Sequence, residues 1–143
     1  MTTNFDIASY LKDTIYEART TLGLRNDAIL FGDVDRIHVT PMVCVDSGSK
    51  ERELNAAPRR TLVTGTNYIL VYHSAVKQAT ANREDDDQFA EQLEALIHQD
   101  SVFGGLCHFS LVRSVEFGYQ IRNNTVYRAS RLTVEAQWNE MLP

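Results

Sequence analysis

Cysteine, proline and tryptophan are scarce in this chain, and each scarcity removes an option. Cys44 and Cys107 are the only cysteines. A disulfide framework is excluded, and two reduced, mostly buried thiols are expected in a chain made and folded in a cytoplasm. Cys107-His108, Cys44, His38, His73 and His98 show none of the short paired spacings of zinc sites. Neighbours on a strand also point to opposite faces, so Cys107 and His108 are not expected to act as a nucleophile and its base. Three prolines and seven glycines leave no linker or low-complexity stretch.

Other absences narrow the function classes. No apolar run has the length of a membrane span, and Met1-Thr-Thr-Asn-Phe-Asp6 lacks the basic and apolar regions of a signal peptide. No membrane association is expected. Fourteen basic residues face nineteen acidic ones, for a formal net charge of −5, which argues against a general nucleic-acid binder. It does not argue against a protein past which DNA travels. There is no G-x-S-x-G elbow and no H-E-x-x-H pair, and Gly104-Gly105 precedes a strand rather than opening a helix. No catalytic residue, cofactor or metal is therefore expected.

What is present is an ordinary globular balance, 43% hydrophobic and 23% charged over 143 residues. It fits a single domain spanning 1–143. Ile7, Leu11, Ile15, Ala18 and Leu22 recur at three- and four-residue steps and predict a helix from about Phe5 to Leu22. Thr3, Asn4 or Asp6 can cap it, and Gly23 can end it. Leu24 to Asp35 reads as a connector. Arg36–Val45 alternates like a strand, bent or at an edge because of Pro41. Asp46–Arg60 is polar and aperiodic, and reads as a long flexible hairpin loop.

Thr61–His73 reads as a central strand, since Tyr68-Ile-Leu-Val-Tyr72 is apolar on both faces, with a bulge at Gly65. The best-patterned stretch follows, Asn82–Trp138. It opens with a helix whose buried stripe is Phe89, Leu93, Leu96 and Ile97. Glu84, Asp85, Asp86 and Asp87 crowd its first turn, where carboxylates favour the positive end of the dipole and are expected to be solvated. Gly104-Gly105 makes a corner. Two strands close the chain around an Asn123-Asn124 turn, the first with Phe109, Leu111, Val115 and Phe117 in one parity. On the last strand, Leu132, Val134, Ala136 and Trp138 face one way and Thr133, Glu135 and Gln137 the other.

The fold class is α+β, in the order α-β-β-α-β-β, with two helices on a mostly antiparallel sheet of about four strands. The final strand pair carries Arg113, Arg122, Arg128 and Arg131. Arg128 and Arg131 could pair with Asp85, Asp86 and Asp87 of a neighbouring copy. Lys50, Arg52, Arg59 and Arg60 in the long loop are further candidate contacts.

This order of elements resembles the tail terminator (tail completion) proteins of long-tailed bacteriophages, the lambda-like minor tail protein family. The residues that carry the resemblance are the acidic-start helix Glu84–Gln99 and the corner Asp100-Ser-Val-Phe-Gly-Gly-Leu-Cys-His108. A strand with Val112 and Val115, the region of Gly118, and the ending Tyr127-Arg-Ala-Ser-Arg-Leu-Thr-Val-Glu135 complete it. The resemblance implies a virion protein that forms a ring, typically hexameric. Such a ring caps the tail tube, stops its polymerisation and offers a docking surface to the head or neck. Its partners would be further copies of itself, the tail tube protein and neck or connector proteins, with DNA passing through unbound. Two alternatives stand beside it: another neck ring protein, such as a stopper or adaptor, and a small α+β enzyme or ligand-binding module centred on Cys107-His108.

Overall fold

Helix α1 spans Asn4–Glu17 in the computed structural model, which describes residues 2–54, 60–77 and 83–141. Thr3 caps it through a reciprocal box. The Asp6 amide donates to Thr3 Oγ1 at 3.1 Å and the Thr3 amide to Asp6 Oδ2 at 2.9 Å. The helix breaks at Ala18 and continues as the single turn α2, Arg19–Leu22, before Gly23 ends it in the left-handed region at φ 74°. Ile7, Leu11, Ile15 and Leu22 are buried as their spacing predicts.

Five strands follow the order β1-β2-β3-β5-β4 across one mixed sheet. They are β1 (Ile29–Phe31), β2 (Met42–Leu54), β3 (Arg60–Ala75), β4 (Phe109–Arg122) and β5 (Thr125–Met141). β1 pairs with β2 in parallel, and every other neighbouring pair is antiparallel. Helix α3 (Arg83–Ile97) packs with α1 on one face of the sheet. Leu93 and Ile97 join Ile7, Leu11 and Ile15 against Val43, Ile69, Val71, Leu132 and Val134. A smaller cluster on the other face holds Met42, Cys44, Tyr72 and Ala129, roofed by Leu30, Val34, Ile37 and Val39.

The α+β class and the central position of β3 agree with the sequence patterns, but the sheet has five strands rather than four. Ala28–Phe31, expected to be connector, supplies β1. Three residues are too few to show a period, and the strand exists because Ile29, Leu30 and Phe31 align with Val43, Cys44 and Val45. Residues 36–41 do not form a ladder. Ile37 and Val39 alternate because they fold down on the second cluster. Residues 46–54, expected in a flexible loop, continue β2 as an arm paired with β3. Asp46, Ser47, Gly48 and Ser49 are exposed, so backbone bonds hold the arm where no apolar face announces it. Of the rest of that expected loop, residues 55–59 lie outside the described residues and Arg60 already belongs to β3.

Bulges also sit where the sequence did not place them. Residues 48–49 of β2 stand opposite Thr66, so the irregularity beside Gly65 belongs to the partner strand. Gly65 itself marks a close approach. A Cβ there would lie 2.2 Å from Asn4 Oδ1 and 2.6 Å from the Trp138 ring. On β4 the register shifts between Val112 and Ser114. Ser110 and Val112 turn inward before the shift and Val115 packs on the core after it, leaving Phe109 exposed. The single parity expected for Phe109, Leu111, Val115 and Phe117 therefore fails at its first half. Asn123 and Asn124 form the expected tight turn, both at positive φ (50° and 64°).

Candidate functional site

The acidic start of α3 and the basic strand β5 meet inside one chain. Arg128 lies on the same parity of β5 as Leu132 and Val134, so its side chain rises under α3. Its Nε stands 2.7 Å from Asp86 Oδ2. Asp86 is buried, which corrects the expectation that the whole acidic cluster is solvated. Asp87 takes an i,i+4 contact from Arg83 at 2.9 Å, and Asp85 is exposed. Arg131, on the opposite face, pairs with Glu116 at 3.2 Å and covers the Tyr68 ring. Arg128, Asp86 and Asp87 thus find partners without a neighbouring copy, and so does Arg131.

His73 extends this network. His73 shares the parity of Ile69 and Val71 on β3 and so faces the helices, with Nε2 2.8 Å from Ser130 Oγ and Nδ1 3.7 Å from Asp86 Oδ1. Burial holds the imidazole below its ordinary value. The Asp86 carboxylate pulls against that shift and the Arg128 guanidinium adds to it. A serine, a histidine and an aspartate in this order are the parts of a nucleophilic relay. Here Ser130 is 2% exposed and beneath α3, so a substrate carbonyl has no path to its hydroxyl. The group serves to fix α3 on β3 and β5. The signal for it was present in the sequence, as two polar residues, Arg128 and Ser130, on the buried parity of β5.

The remaining sequence candidates are scattered. Lys50 and Arg52 sit on β2, not in a loop, and both approach Glu140 Oε2, at 3.9 and 3.5 Å. Arg60 opens β3 and is exposed. Arg59 lies outside the described residues. Cys107 is buried, its thiol pushed up mainly by desolvation, with Sγ 3.8 Å from the Ser101 carbonyl. His108 turns elsewhere, to Asn139 at 3.1 Å. Among the described residues, no three His, Cys, Asp or Glu side chains are grouped to hold a metal ion, and no helix is long and apolar enough to cross a membrane.

On the other face, Asp33 receives hydrogen bonds from the Tyr72 hydroxyl and the Arg122 guanidinium. Arg122 Nε also donates to the Val34 carbonyl at 3.0 Å. Burial raises the Asp33 carboxyl, but these donors and the Val34 amide together hold it below its ordinary value. The network ties the segment after β1 to the far end of β4. Burial is also the main cause that pushes the nearby Cys44 thiol up to about 12.

Large apolar side chains reach solvent at the two lateral margins of the sheet. At the β1 margin, Phe5 (62% exposed) and Phe31 (44%) touch with ring centroids 5.5 Å apart, and Lys12 lies over Phe31. At the β4 margin, Tyr119 (69%), Ile121 (65%) and Val126 stand on the helix-side face of the hairpin, toward its turn. Sequence patterning missed both, because each side chain obeys the parity of its element and only the element's position at an edge exposes it. No protein-family model matches the chain, and comparison with curated proteins finds no match.

Proposed function

We propose that this chain is a structural subunit of a phage tail, a terminator-like protein. Copies of it close into a ring that caps the tail tube, stops its polymerisation and offers a docking surface to the head or neck. The observation that carries the proposal is the pair of unlike apolar margins, Phe5–Phe31 on one side of the sheet and Tyr119–Ile121–Val126 on the other. A head-to-tail contact requires two different surfaces on one subunit, and repeated around an axis it closes a ring. Large exposed aromatics and aliphatics are the anchors expected of such a contact. This replaces charge pairing between the α3 start and β5, whose groups are engaged within the chain, as the basis of assembly.

The ring contains no chemistry in this account. Its work is steric, with tail tube protein on one side, neck proteins on the other, and DNA passing through without specific contacts. Negative-stain images of tails assembled without this protein test the role. Overlong tubes support termination. Tubes of normal length that fail to join heads favour a stopper or adaptor in the neck.

A further inference from the structure

The two margins carry backbone as well as side chains, and the sheet register fixes which of their peptide groups point outward. A two-residue turn at Asn123-Asn124 makes Arg122 and Thr125 the bonded pair that closes the hairpin. Bonding then alternates, so Gln120, Gly118 and Glu116 point their peptide groups at β5, while Ile121, Tyr119, Phe117 and Val115 point theirs outward. Two contacts on the outer side agree with this assignment. The Val112 amide donates to His98 Nε2 at 3.0 Å, and the Ile121 carbonyl accepts from Arg122 at 2.8 Å. Among the described residues, no hydrogen bond covers the outward peptide groups of Phe117 or Tyr119.

At the opposite edge, the Val43 amide donates to the Ala28 carbonyl and the Gly32 amide to the Val45 carbonyl, both at 2.8 Å. Residues 28, 30 and 32 therefore face β2, and Ile29 and Phe31 direct their peptide groups outward. An open edge with exposed apolar side chains and no lysine or proline is a template for another strand. Phe117–Ile121 meets that description.

The two edges match in sense and in face. β1 runs with β2, and the three antiparallel steps to β3, β5 and β4 leave β4 running opposite to β1. Ile29 belongs to the helix-side core and Phe31 touches Phe5 of α1. Phe117 lies under Arg83 of α3, and Tyr119 and Ile121 share its parity. A second copy set beside the first, without turning over, brings β4 antiparallel to β1 with all helices on one side.

We propose that β4 of one copy, through Phe117–Ile121, adds as an antiparallel strand to Ile29–Phe31 of the next. Phe31 and Phe5 would then pack against Tyr119. The sheet becomes continuous around the ring, and both apolar margins are covered by one repeated contact. Pairing of two β4 strands about a two-fold axis would leave Phe5 and Phe31 in water and stop at two copies. This inference rests on the ring proposed above and specifies its subunit contact.

Cysteine cross-linking tests it. Outward residues opposed across such a pair have Cα atoms about 5.5 Å apart, within disulfide range. Phe31→Cys is combined in one chain with Phe117→Cys, and separately with Tyr119→Cys, and the proteins are oxidised. Unchanged melting temperatures show that the changes leave the fold intact, including Phe117→Cys, which removes a half-buried ring beneath Arg83. The expected result is a covalent ladder of multimers for at least one pair and none for the single variants. Tyr119→Asp should also raise the concentration needed for assembly about tenfold or more, equivalent to about 1.4 kcal/mol. Multimeric protein with neither pair linked overturns the β4–β1 contact and leaves the ring standing, whereas a dimer linked through Tyr119→Cys alone that never exceeds two copies overturns the ring as well. A chain that stays monomeric at every concentration overturns both.

Discussion

Asp86 and Arg128 form a 2.7 Å ion pair beneath α3, with Asp86 only 6% exposed. Such a pair is costly to break from one side, because the remaining charge keeps its burial and loses its partner. Arg128 retains some access to water, which moderates the loss. Asp86→Ala should lower unfolding stability by about 2–3 kcal/mol. Asp86→Leu combined with Arg128→Leu should lose less than the two single changes added together, read by urea titration of all three.

His73 makes stability depend on pH. Its folded value lies below the ordinary 6.5, so around pH 6 the unfolded chain binds more protons than the folded one. Stability is then fully present above about 6.5 and falls as pH drops toward the folded value. Urea midpoints between pH 7.5 and 5 should decline in the native chain, and His73→Gln should flatten that decline.

Gly65 is required by packing rather than by backbone conformation. A methyl group there would stand 2.2 Å from Asn4 Oδ1 and 2.6 Å from Trp138, too close without a shift of α1's first turn. Gly65→Ala should cost about 1–3 kcal/mol, as overpacked cores do. Asn4→Ala, which removes the nearer obstacle, should recover part of it in a double-mutant comparison.

Asp33 pins the 33–39 segment through Tyr72 and Arg122. Asp33→Asn removes the charge and should cost roughly 1 kcal/mol, since the site is partly solvated. Hydrogen exchange should quicken in residues 33–41 and change little in α1.

Where one face is buried and the element is long, the pattern was legible. The α1 stripe and the alternation from Leu132 to Trp138 are both buried as spaced. Elements held by other means were not. β1 is too short to show a period, and the outer part of β2 is a polar arm held by its ladder to β3. The burial of Asp86 depends on Arg128, 42 positions away in sequence, and composition favours the solvated alternative for a run of acids at a helix start. The exposure of Phe31 and Tyr119 follows from strand order, which no local period encodes.

The proposed function depends on head-to-tail assembly of this chain into a closed ring. Sedimentation equilibrium of the purified chain, over a wide range of concentrations, measures it most directly. A closed ring predicts a single species, six copies by resemblance, with no growth beyond it. A monomer throughout, or a dimer that never exceeds two copies, would contradict it.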